Sequence, residues 1–369
     1  MKVCWAGTFD PGFGRNKRLA EYMESAGIET RLVRVDLWPI DRVSAFREQR
    51  LAILLRMTWA YPLLLLRLLL APTPDVYLVS YPGWFDVFVV RLVALLKRRP
   101  LVFDIFISLY DTAVSDRRLE NPGSLTARLA RFVDRRSMRL SDRVIADCPT
   151  HARFLSDLSG VEPRRFGVVY LGADESVFHS SEDVVEDPRL VLFYGTFVPL
   201  QGVEWIIGAA ARLENQNIRF RLIGEGQTRQ EAEDRCQRLG LRNVEFGGLM
   251  PQEDLVQEMS RAALCLGVFG TSDKANRVIP HKLFEALAVG RPILTGATQA
   301  VMEVFEEGEL AVCKPGDSSS IAESIAQLLS SPTSLQRIAS AGNSKFEVDF
   351  GRQTQGIRLL TELQSAFND

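Results

Sequence analysis

The chain has 369 residues, of which 46% are hydrophobic and 24% are charged, and its formal net charge is −2. This composition is typical of a globular protein and excludes general disorder. One hydrophobic core rarely serves so long a chain, so we expect two domains with a ligand cleft between them. The five cysteines are scattered and include no Cys-x-x-Cys pair, which favours a reducing cytoplasm, and the N-terminus does not resemble a secretion signal.

The first half of the chain alternates apolar strand candidates with helical stretches. The strand candidates are residues 2–6, 30–35, 76–80, 101–107 and 143–146. This alternation predicts a parallel sheet with helices on both faces. The loop after the first strand contains Gly12 and Gly14, but Lys17 stands where a nicotinamide-binding fingerprint has its third glycine, so that cofactor is not supported.

Residues 51–71 form an apolar stretch about as long as a membrane span, but they include Arg56, Pro62 and Arg67. Each arginine would cost roughly 2.5 to 3.5 kcal/mol at a membrane centre, which disfavours a span. We therefore predict a pair of core helices broken near Pro62. The alternative is an apolar and basic surface, extended by residues 97–99, that contacts a membrane without crossing it.

A run of arginines follows, at positions 128, 131, 135, 136, 139 and 143. Apolar residues such as Leu129 and Phe132 alternate with them at helical spacing, which favours a solvated helix face over a nucleic-acid site. His151 and His179 have no evident partner in the sequence, so we predict surface or boundary positions for both.

The second half repeats the alternation after an acidic stretch, residues 179–188, which is typical of a linker. Its strand candidates are residues 190–194, 218–223, 244–246, 263–267 and 292–294. The simplest architecture is two Rossmann-like α/β domains, 1–178 and 189–345, whose parallel sheets face each other across a cleft. A C-terminal helix within residues 346–369 is expected to pack back on the first domain.

The segment from Pro280 to Pro292 combines features that a core helix does not require. A proline at a helix start presets the backbone, and the amides and positive end of that helix suit a phosphate group. Glu285, in the first turns, is placed to accept hydrogen bonds from two ribose hydroxyls. Gly290 and Pro292 then end the helix and lead into a strand.

This segment resembles the signature of family 4 of the retaining glycosyltransferases, where a helix of the form Pro-x-Lys-x-Phe-Glu-Ala-x-Ala-x-Gly-x-Pro-Ile binds a sugar nucleotide. Similar motifs occur in the same order at residues 171–178, 194–196, 222–226, 244–248 and 314–317. The resemblance is strong from about residue 144 to residue 329 and implies the GT-B fold.

The resemblance also implies individual roles. Gly195 matches a glycine at the diphosphate, Gly224 and Gly226 match the turn beneath the nucleotide, and Phe246, Gly247 and Leu249 match the loop beside the base. Donor contacts are implied for Pro280, His281, Lys282 and Glu285, and the loop of Gly12 and Gly14 is implied to lie by the transferred sugar. For the glycines, ordinary turn chemistry is the competing interpretation.

Two positions depart from the family pattern. Arg277 stands where the family often has a second glutamate that contacts the sugar, and Gln201 replaces a lysine that usually binds phosphate. Lys282 and Arg277 are candidates for the missing positive charge.

Asp104 and Asp111 follow a predicted strand at the ligand-binding end of the sheet. Related enzymes often carry a His or Asp there, so both are candidates for sugar contact, with Arg277 as a third catalytic candidate. Helix or turn capping is the alternative for each aspartate. Arg15 and Lys17 are candidates for holding phosphate or an anionic acceptor.

The implied reaction moves a sugar from a nucleoside diphosphate to a hydroxyl acceptor with retention, in glycan, polysaccharide or glycolipid synthesis. The expected acceptors include lipid-linked forms at the inner face of the membrane, and no cofactor, metal or nucleic acid is expected. The alternatives are a catalytically silent sugar-nucleotide or glycan-binding subunit and an epimerase or phosphorylase on the same fold.

Overall fold

The computed structural model describes residues 1–37, 50–116, 121, 123–180 and 184–367. They form two compact units: the first holds nearly all described residues up to Tyr170 and resumes at Arg352, and the second runs from Leu171 to Gly351.

The strands are β1 Lys2–Gly7, β2 Glu29–Arg34, β3 Val76–Val79, β4 Leu101–Asp104, β5 Arg143–Ala146, β6 Phe166–Val168, β7 Asp187–Tyr194, β8 Arg219–Ile223, β9 Val244–Gly247, β10 Ala262–Leu266, β11 Ile293–Gly296 and β12 Ala311–Cys313. The α-helices are α1 Gly14–Ser25, α2 Arg50–Leu70, α3 Asp86–Leu96, α4 Leu125–Leu140, α5 Pro149–Ser159, α6 Val203–Arg212, α7 Arg229–Leu239, α8 Gln252–Arg261, α9 Asp273–Arg277, α10 His281–Ala288, α11 Gln299–Val304, α12 Ser318–Leu329, α13 Pro332–Lys345 and α14 Arg352–Ser365.

The first unit is built on a parallel sheet with the strand order β2-β1-β3-β4-β5-β6. Successive side chains of a strand point to opposite faces, so each apolar strand supplies two cores. Ala6 and Tyr77 face a core shared with α2, α3, α4 and α5. Trp5 and Leu78 face the other core, which α1 and α14 cover.

Helix α2 runs through Pro62 without a break, so the prediction of two helices was wrong. Pro62 itself is exposed, whereas Ala60, Leu64 and Leu68 are fully buried against the sheet. Packing on both sides of the proline therefore holds the helix together although one backbone donor is missing.

The C-terminal helix α14 belongs to the first unit. Leu359 and Leu363 lie in the same core as Leu19 of α1. The side-chain oxygen of Gln355 accepts a hydrogen bond from the backbone amide of Tyr170 at 2.8 Å. Helix α14 thus covers the same face of the first sheet as α1, although the strands of that sheet lie far away in the sequence.

The second unit contains another parallel sheet, in the order β12-β11-β10-β7-β8-β9. Phe193 of β7 and Leu266 of β10 pack with Ile207 of α6 and Ile325 of α12 in its core. Two parallel α/β sheets are therefore present, as the alternation of patterns predicted.

Two strands, β6 and β12, were missed, because each has only three residues and so short a stretch gives no clear strand pattern. The chain enters the second unit at Leu171, shortly after β6, and residue 178 was the predicted end of the first domain.

Candidate functional site

Two glycine loops meet at the carboxyl ends of β7 and β8. The backbone amide of Gly195 donates to the carbonyl of Ile223 at 2.9 Å. A Cβ on Gly226 would lie 1.8 Å from the carbonyl oxygen of Thr196, and one on Gly224 would lie 1.9 Å from that of Gly195. Both glycines also have positive φ angles, so the loop packing itself requires them.

Gly195 occupies a different kind of position. A Cβ there would lie 2.5 Å from Oε1 of Gln201 and 2.9 Å from Nζ of Lys282, so it would strike side-chain tips instead of backbone. The glycine keeps open the place where these two polar side chains converge. In an open parallel sheet, ligands usually bind at the carboxyl ends of neighbouring strands.

Lys282, in the first turn of α10, is only 4% exposed. Its Nζ lies 3.9 Å from the centroid of the Phe193 ring and has no hydrogen-bond partner in the part of the protein that the structure describes. Burial lowers the pKa of this ammonium group to about 7, although the nearby Glu285 and Cys265 favour its charged form. The Lys282 amine is therefore a buried donor without a hydrogen-bond acceptor among the described residues, and a nearby anion would favour its charged form.

Gln201 ends the loop that follows β7 and is also buried. Its Oε1 has no hydrogen-bond partner among the described residues, and its Nε2 makes a long contact of 3.5 Å to Oγ1 of Thr196. Unsatisfied buried polar atoms each cost about 1 to 3 kcal/mol. The amide of Gln201 and the ammonium of Lys282 therefore favour a polar ligand beside Gly195.

Helix α10 begins at this point. Pro280 is its N-cap residue, and no side chain caps the first turn. His281 is exposed, and Glu285, one turn further on, is half-buried. The positive end of the helix adds to the attraction for an anion.

Glu285 lies close to the phenol of Tyr194. The pKa of Tyr194 is raised well above its ordinary value, mainly by burial and further by the charge of Glu285 and a hydrogen bond to it. The same phenol lies 3.2 Å from the carbonyl oxygen of Lys282, to which it donates. Tyr194 therefore positions both the start of α10 and its carboxylate.

Arg229 joins the loops after β8 and β9, and sequence reasoning missed it. Its guanidinium donates to the carbonyl oxygens of Gly224 at 2.6 Å and Gly247 at 2.8 Å. It also lies 4.7 Å from the ring centroid of Phe246 and 5.2 Å from that of Phe197. No periodicity marks this arginine, because its role depends on two loops that meet only in the folded protein.

The other predicted residues of this unit lie around these loops. Phe246 is half-buried, whereas Leu249 is 79% exposed. Arg277, the last residue of α9 and three residues before Pro280, is half-buried. The structure thus brings Gly195, Gln201, Lys282 and Glu285 together at one end of β7.

In the first unit, Asp104 is fully buried and forms a bidentate contact with the buried guanidinium of Arg15, with the closest approach at 2.6 Å. Arg15 also donates to the carbonyl of Val169 at 2.8 Å. Arg15 is therefore a structural cation, and the expectation that it holds a ligand phosphate was wrong. A catalytic role of Asp104 stays a prediction, and its burial argues against direct contact with a substrate.

Asp111 begins a π-helical turn, Asp111–Asp116, and is 3% exposed; its backbone amide donates to Oγ of Ser108. Asp134 is buried beside it and accepts hydrogen bonds from Ser108 and Tyr110. Burial raises the pKa of Asp134 to about 6, while these hydrogen bonds lower it. Acidic groups therefore shape the loop that follows β4.

The loop of Gly12 and Gly14 precedes α1. The amide of Gly12 donates to Oδ1 of Asp10 at 2.9 Å, and Gly14 is the first residue of the helix. The implied contact of this loop with a sugar stays a prediction.

His151 is 4% exposed, so the prediction of a surface or boundary position was wrong for it. Its Nδ1 lies 2.5 Å from Oδ1 of Asp147, four residues earlier. Burial raises the pKa of Asp147, but the charge and hydrogen bond of His151 and the charge of Arg15 outweigh burial and lower it overall. The spacing of four residues was the signal that sequence reasoning overlooked. His179 is exposed, as predicted.

Within the described ranges, no group of three or more His, Cys, Asp or Glu side chains is arranged to hold a metal ion. The five cysteines all lie in those ranges, are buried and form no disulfide.

The two units, each built on a six-stranded parallel sheet with helices around it, have the GT-B class of fold. Sucrose-phosphate synthase from Thermosynechococcus elongatus has the same fold, with a TM-score of 0.77 at 17% identity over 100% of this chain and 99% of that one. HepE from Anabaena, solved in complex with UDP-glucose, gives a TM-score of 0.66 at 18% identity over 99% of this chain and 100% of that one.

Residues 174–345 match the family described as "Glycosyl transferases group 1", and residues 14–172 match the "Glycosyl transferase 4-like domain". The chain belongs to the group 1 glycosyltransferases, as the motifs predicted. It is 28% identical over 222 residues to a D-inositol 3-phosphate glycosyltransferase of Kribbella flavida, covering 54% of this chain and 51% of that protein. It is 30% identical over 145 residues to WcaI of Escherichia coli, a glycosyl transferase named for colanic acid biosynthesis, covering 39% and 34%. The chain spans about a third to about half of the length of these curated relatives.

Proposed function

We infer that this protein is a retaining glycosyltransferase that takes a sugar from a nucleoside diphosphate and transfers it to a hydroxyl acceptor. The observation that carries this proposal is the pair of unsatisfied buried groups, Nζ of Lys282 and Oε1 of Gln201, beside Gly195 and the start of α10. The complex of the HepE neighbour with UDP-glucose supports the same class of donor.

The diphosphate oxygens of the donor would lie beside Lys282 and the first turn of α10, where the ammonium and the helix end stabilise the leaving group. The nucleoside would extend towards the Arg229 and Phe246 loops, and Glu285 would accept hydrogen bonds from its ribose. The departing diphosphate oxygen takes the proton from the incoming hydroxyl on the same face of the sugar. The protein then supplies position and charge, and no protein nucleophile is required.

The acceptor class we propose is a hydroxyl group of a growing glycan, polysaccharide or glycolipid, including lipid-linked forms. The relative named for colanic acid biosynthesis supports a polysaccharide setting. A panel of UDP- and GDP-sugars, assayed for transfer and for hydrolysis with the full chain, tests the proposal. Binding of none of these donors would contradict it.

Glu285→Gln should weaken the binding of UDP by about 10- to 100-fold, since each charge-assisted hydrogen bond to a ribose hydroxyl contributes about 1.5 to 3 kcal/mol. Isothermal titration calorimetry measures this change. The matched control is Glu323→Gln, which removes an exposed carboxylate of α12.

The structure offers a purely structural role for Glu285, through the Tyr194 phenol. In that case Glu285→Gln would lower the thermal midpoint of the unliganded protein and leave the affinity for UDP unchanged. This outcome would remove the ribose contact from the proposal.

Excess EDTA should leave the rate of sugar transfer unchanged, because Lys282 and the start of α10 can neutralise the diphosphate without a cation. The measurement is turnover before and after chelation. Activity that falls with EDTA and returns with Mg²⁺ or Mn²⁺ would contradict metal independence.

A second candidate function is a catalytically silent subunit that binds a sugar nucleotide. Gln201 and Arg277 favour it, because they replace a phosphate-binding lysine and a sugar-contacting glutamate of the family pattern. Tight UDP-sugar binding without transfer to any acceptor would support this alternative over the enzyme.

A further inference from the structure

Large apolar side chains are exposed on one set of neighbouring helices of the first unit. Among the described residues, 12 of the 21 exposed large apolar side chains lie on α2, α3 and α4. They are Leu55, Trp59, Leu66, Leu69 and Leu70 on α2; Phe88, Leu92, Leu95 and Leu96 on α3; and Leu125, Leu129 and Phe132 on α4. We call this set the outer surface. The expectation of an ordinary solvated face on α4 was therefore incomplete.

The outer surface is a regular feature of the three helices. Leu125, Leu129 and Phe132 recur at the spacing of one helix face, and the same spacing holds for the exposed residues of α2 and α3. The buried residues, such as Val90 of α3 and Leu64 of α2, lie on the opposite faces against the sheet. Each helix thus has two apolar stripes, and the sheet covers only one of them.

The three helices lie side by side. They cover the same face of the first sheet and share one core. The ammonium group of Lys97, just after α3, donates to the carbonyls of Leu68 at 2.8 Å and Ala71 at 2.5 Å, which ties the ends of α2 and α3 together. The three outward stripes therefore lie on the same side of the first unit, away from its sheet.

The charge of this area is of one sign. The acidic residues of the three helices are Asp86 and Asp134, and both are buried. Exposed arginines flank the apolar stripes at positions 56, 128, 131, 136 and 139. The whole chain has a net charge of −2, so the positive charge is local to this surface.

We propose that the outer surface binds an anionic lipid bilayer in the plane of its interface. The Leu, Phe and Trp side chains enter the boundary between headgroups and acyl chains, and the guanidinium groups contact lipid phosphates. Trp59 is half-exposed and amphipathic, as residues at this depth commonly are. In the described ranges, no helix is long and apolar enough to cross a membrane.

The apolar stripes favour a bilayer over other occupants. A nucleic acid or an acidic polysaccharide would use the arginines but would leave 12 large apolar side chains without a partner. A second copy of this chain, packed by twofold symmetry, would place one arginine-rich surface against another. An anionic bilayer complements both the charge and the apolar side chains of the outer surface.

Flotation of the full chain with vesicles tests the proposal. Vesicles made of equal parts of phosphatidylglycerol and phosphatidylcholine should carry the protein, and pure phosphatidylcholine vesicles should carry much less. Raising the salt concentration should weaken binding without abolishing it, because only the electrostatic part is screened.

Two triple variants separate the electrostatic contribution to vesicle binding from the apolar contribution. The triple variant Arg128→Gln, Arg131→Gln, Arg136→Gln should bind on the order of a hundredfold more weakly at low salt, at about fivefold per charge. The triple variant Leu92→Ser, Leu129→Ser, Phe132→Ser should lose about tenfold or more at every salt concentration. All six side chains are exposed, so the thermal midpoint should hold.

The matched control is Leu239→Ser with Arg238→Gln, which removes an exposed leucine and an exposed arginine of the second unit. It should bind vesicles as the wild type does. Affinity for UDP should be unchanged in all three variants, because the groups that would hold the nucleotide belong to the second unit.

Three results would overturn the proposal. The first is vesicle binding that neither triple variant weakens. The second is equally tight binding to poly(U) or heparin that needs the arginines but not the apolar residues, which would make this a polyanion surface. The third is a dimer that the apolar variant converts to a monomer while the wild type ignores vesicles, which would make it an interface between copies.

Discussion

Lys282→Met should stabilise the unliganded protein at low pH and weaken its binding of UDP by about 10- to 100-fold. Burial lowers the pKa of Lys282 from 10.5 to about 7. At 1.36 kcal/mol per pH unit, holding the charged amine in the folded protein costs roughly 4 to 5 kcal/mol. Methionine fills a similar volume without a charge and removes this cost.

The stability gain depends on pH. Below pH 7 the lysine is charged in both the folded and the unfolded protein, so the folded wild type carries the full cost of burial. Between about pH 7 and pH 10.5 the folded protein releases the proton while the unfolded chain keeps it, and wild-type stability rises with pH. Urea unfolding at about pH 6 and about pH 9 should therefore show a larger advantage of Lys282→Met at the lower pH.

The loss of affinity for UDP should be accompanied by a loss of proton uptake on binding. A diphosphate beside Lys282 favours the charged amine, so binding of UDP at about pH 8 should take up a proton. Calorimetry in buffers with different ionisation enthalpies detects this uptake, and it should vanish in Lys282→Met. Lys2→Met, which removes an exposed ammonium group of the first unit, is the control. Binding heats that do not depend on the buffer in the wild type would place the diphosphate away from Lys282.

Much of the fold could be predicted because parallel α/β architecture has a strong local signal. Buried strands such as β5 and β10 are mostly apolar stretches between helical patterns, and the structure places both within a residue of their predicted bounds. Strands of three residues, such as β12, are too short for a clear pattern, and their existence depends on neighbouring strands that the local sequence does not reveal. The path of α2 through Pro62 depends likewise on tertiary packing, which overrides the local preference.

The candidate site also contains some residues that the local sequence predicts and others that only the folded protein reveals. Pro280, Lys282 and Glu285 could be named from one continuous segment, because a helix start and its first turn are local features. The burial of Lys282 could not, since it depends on the ring of Phe193, which belongs to a distant strand. Arg229 was missed for the same reason, because its two carbonyl partners lie on different loops.

Asp104→Asn should destabilise the protein by about 3 kcal/mol, because the buried guanidinium of Arg15 loses its bidentate partner and keeps only the charge of Asp147 nearby. Both side chains have no exposed surface, and they meet across 89 residues of sequence. Urea unfolding, monitored by circular dichroism, measures the loss. The double variant Arg15→Met, Asp104→Leu should recover a large part of it, since neither charge then remains buried.

The same variant decides between the structural role of Asp104 and the catalytic role predicted from its place at the end of β4. If Asp104 is structural, Asp104→Asn lowers the unfolding midpoint. The affinity for UDP and the turnover per folded molecule then stay unchanged at a temperature where the variant is folded. A carboxylate that contacts the transferred sugar gives the reverse pattern: Asp104→Asn would unfold like the wild type and lose turnover, and the double variant would not restore it. The bidentate contact of Arg15 with Asp104, together with the donation of Arg15 to Val169, leads us to expect the first pattern.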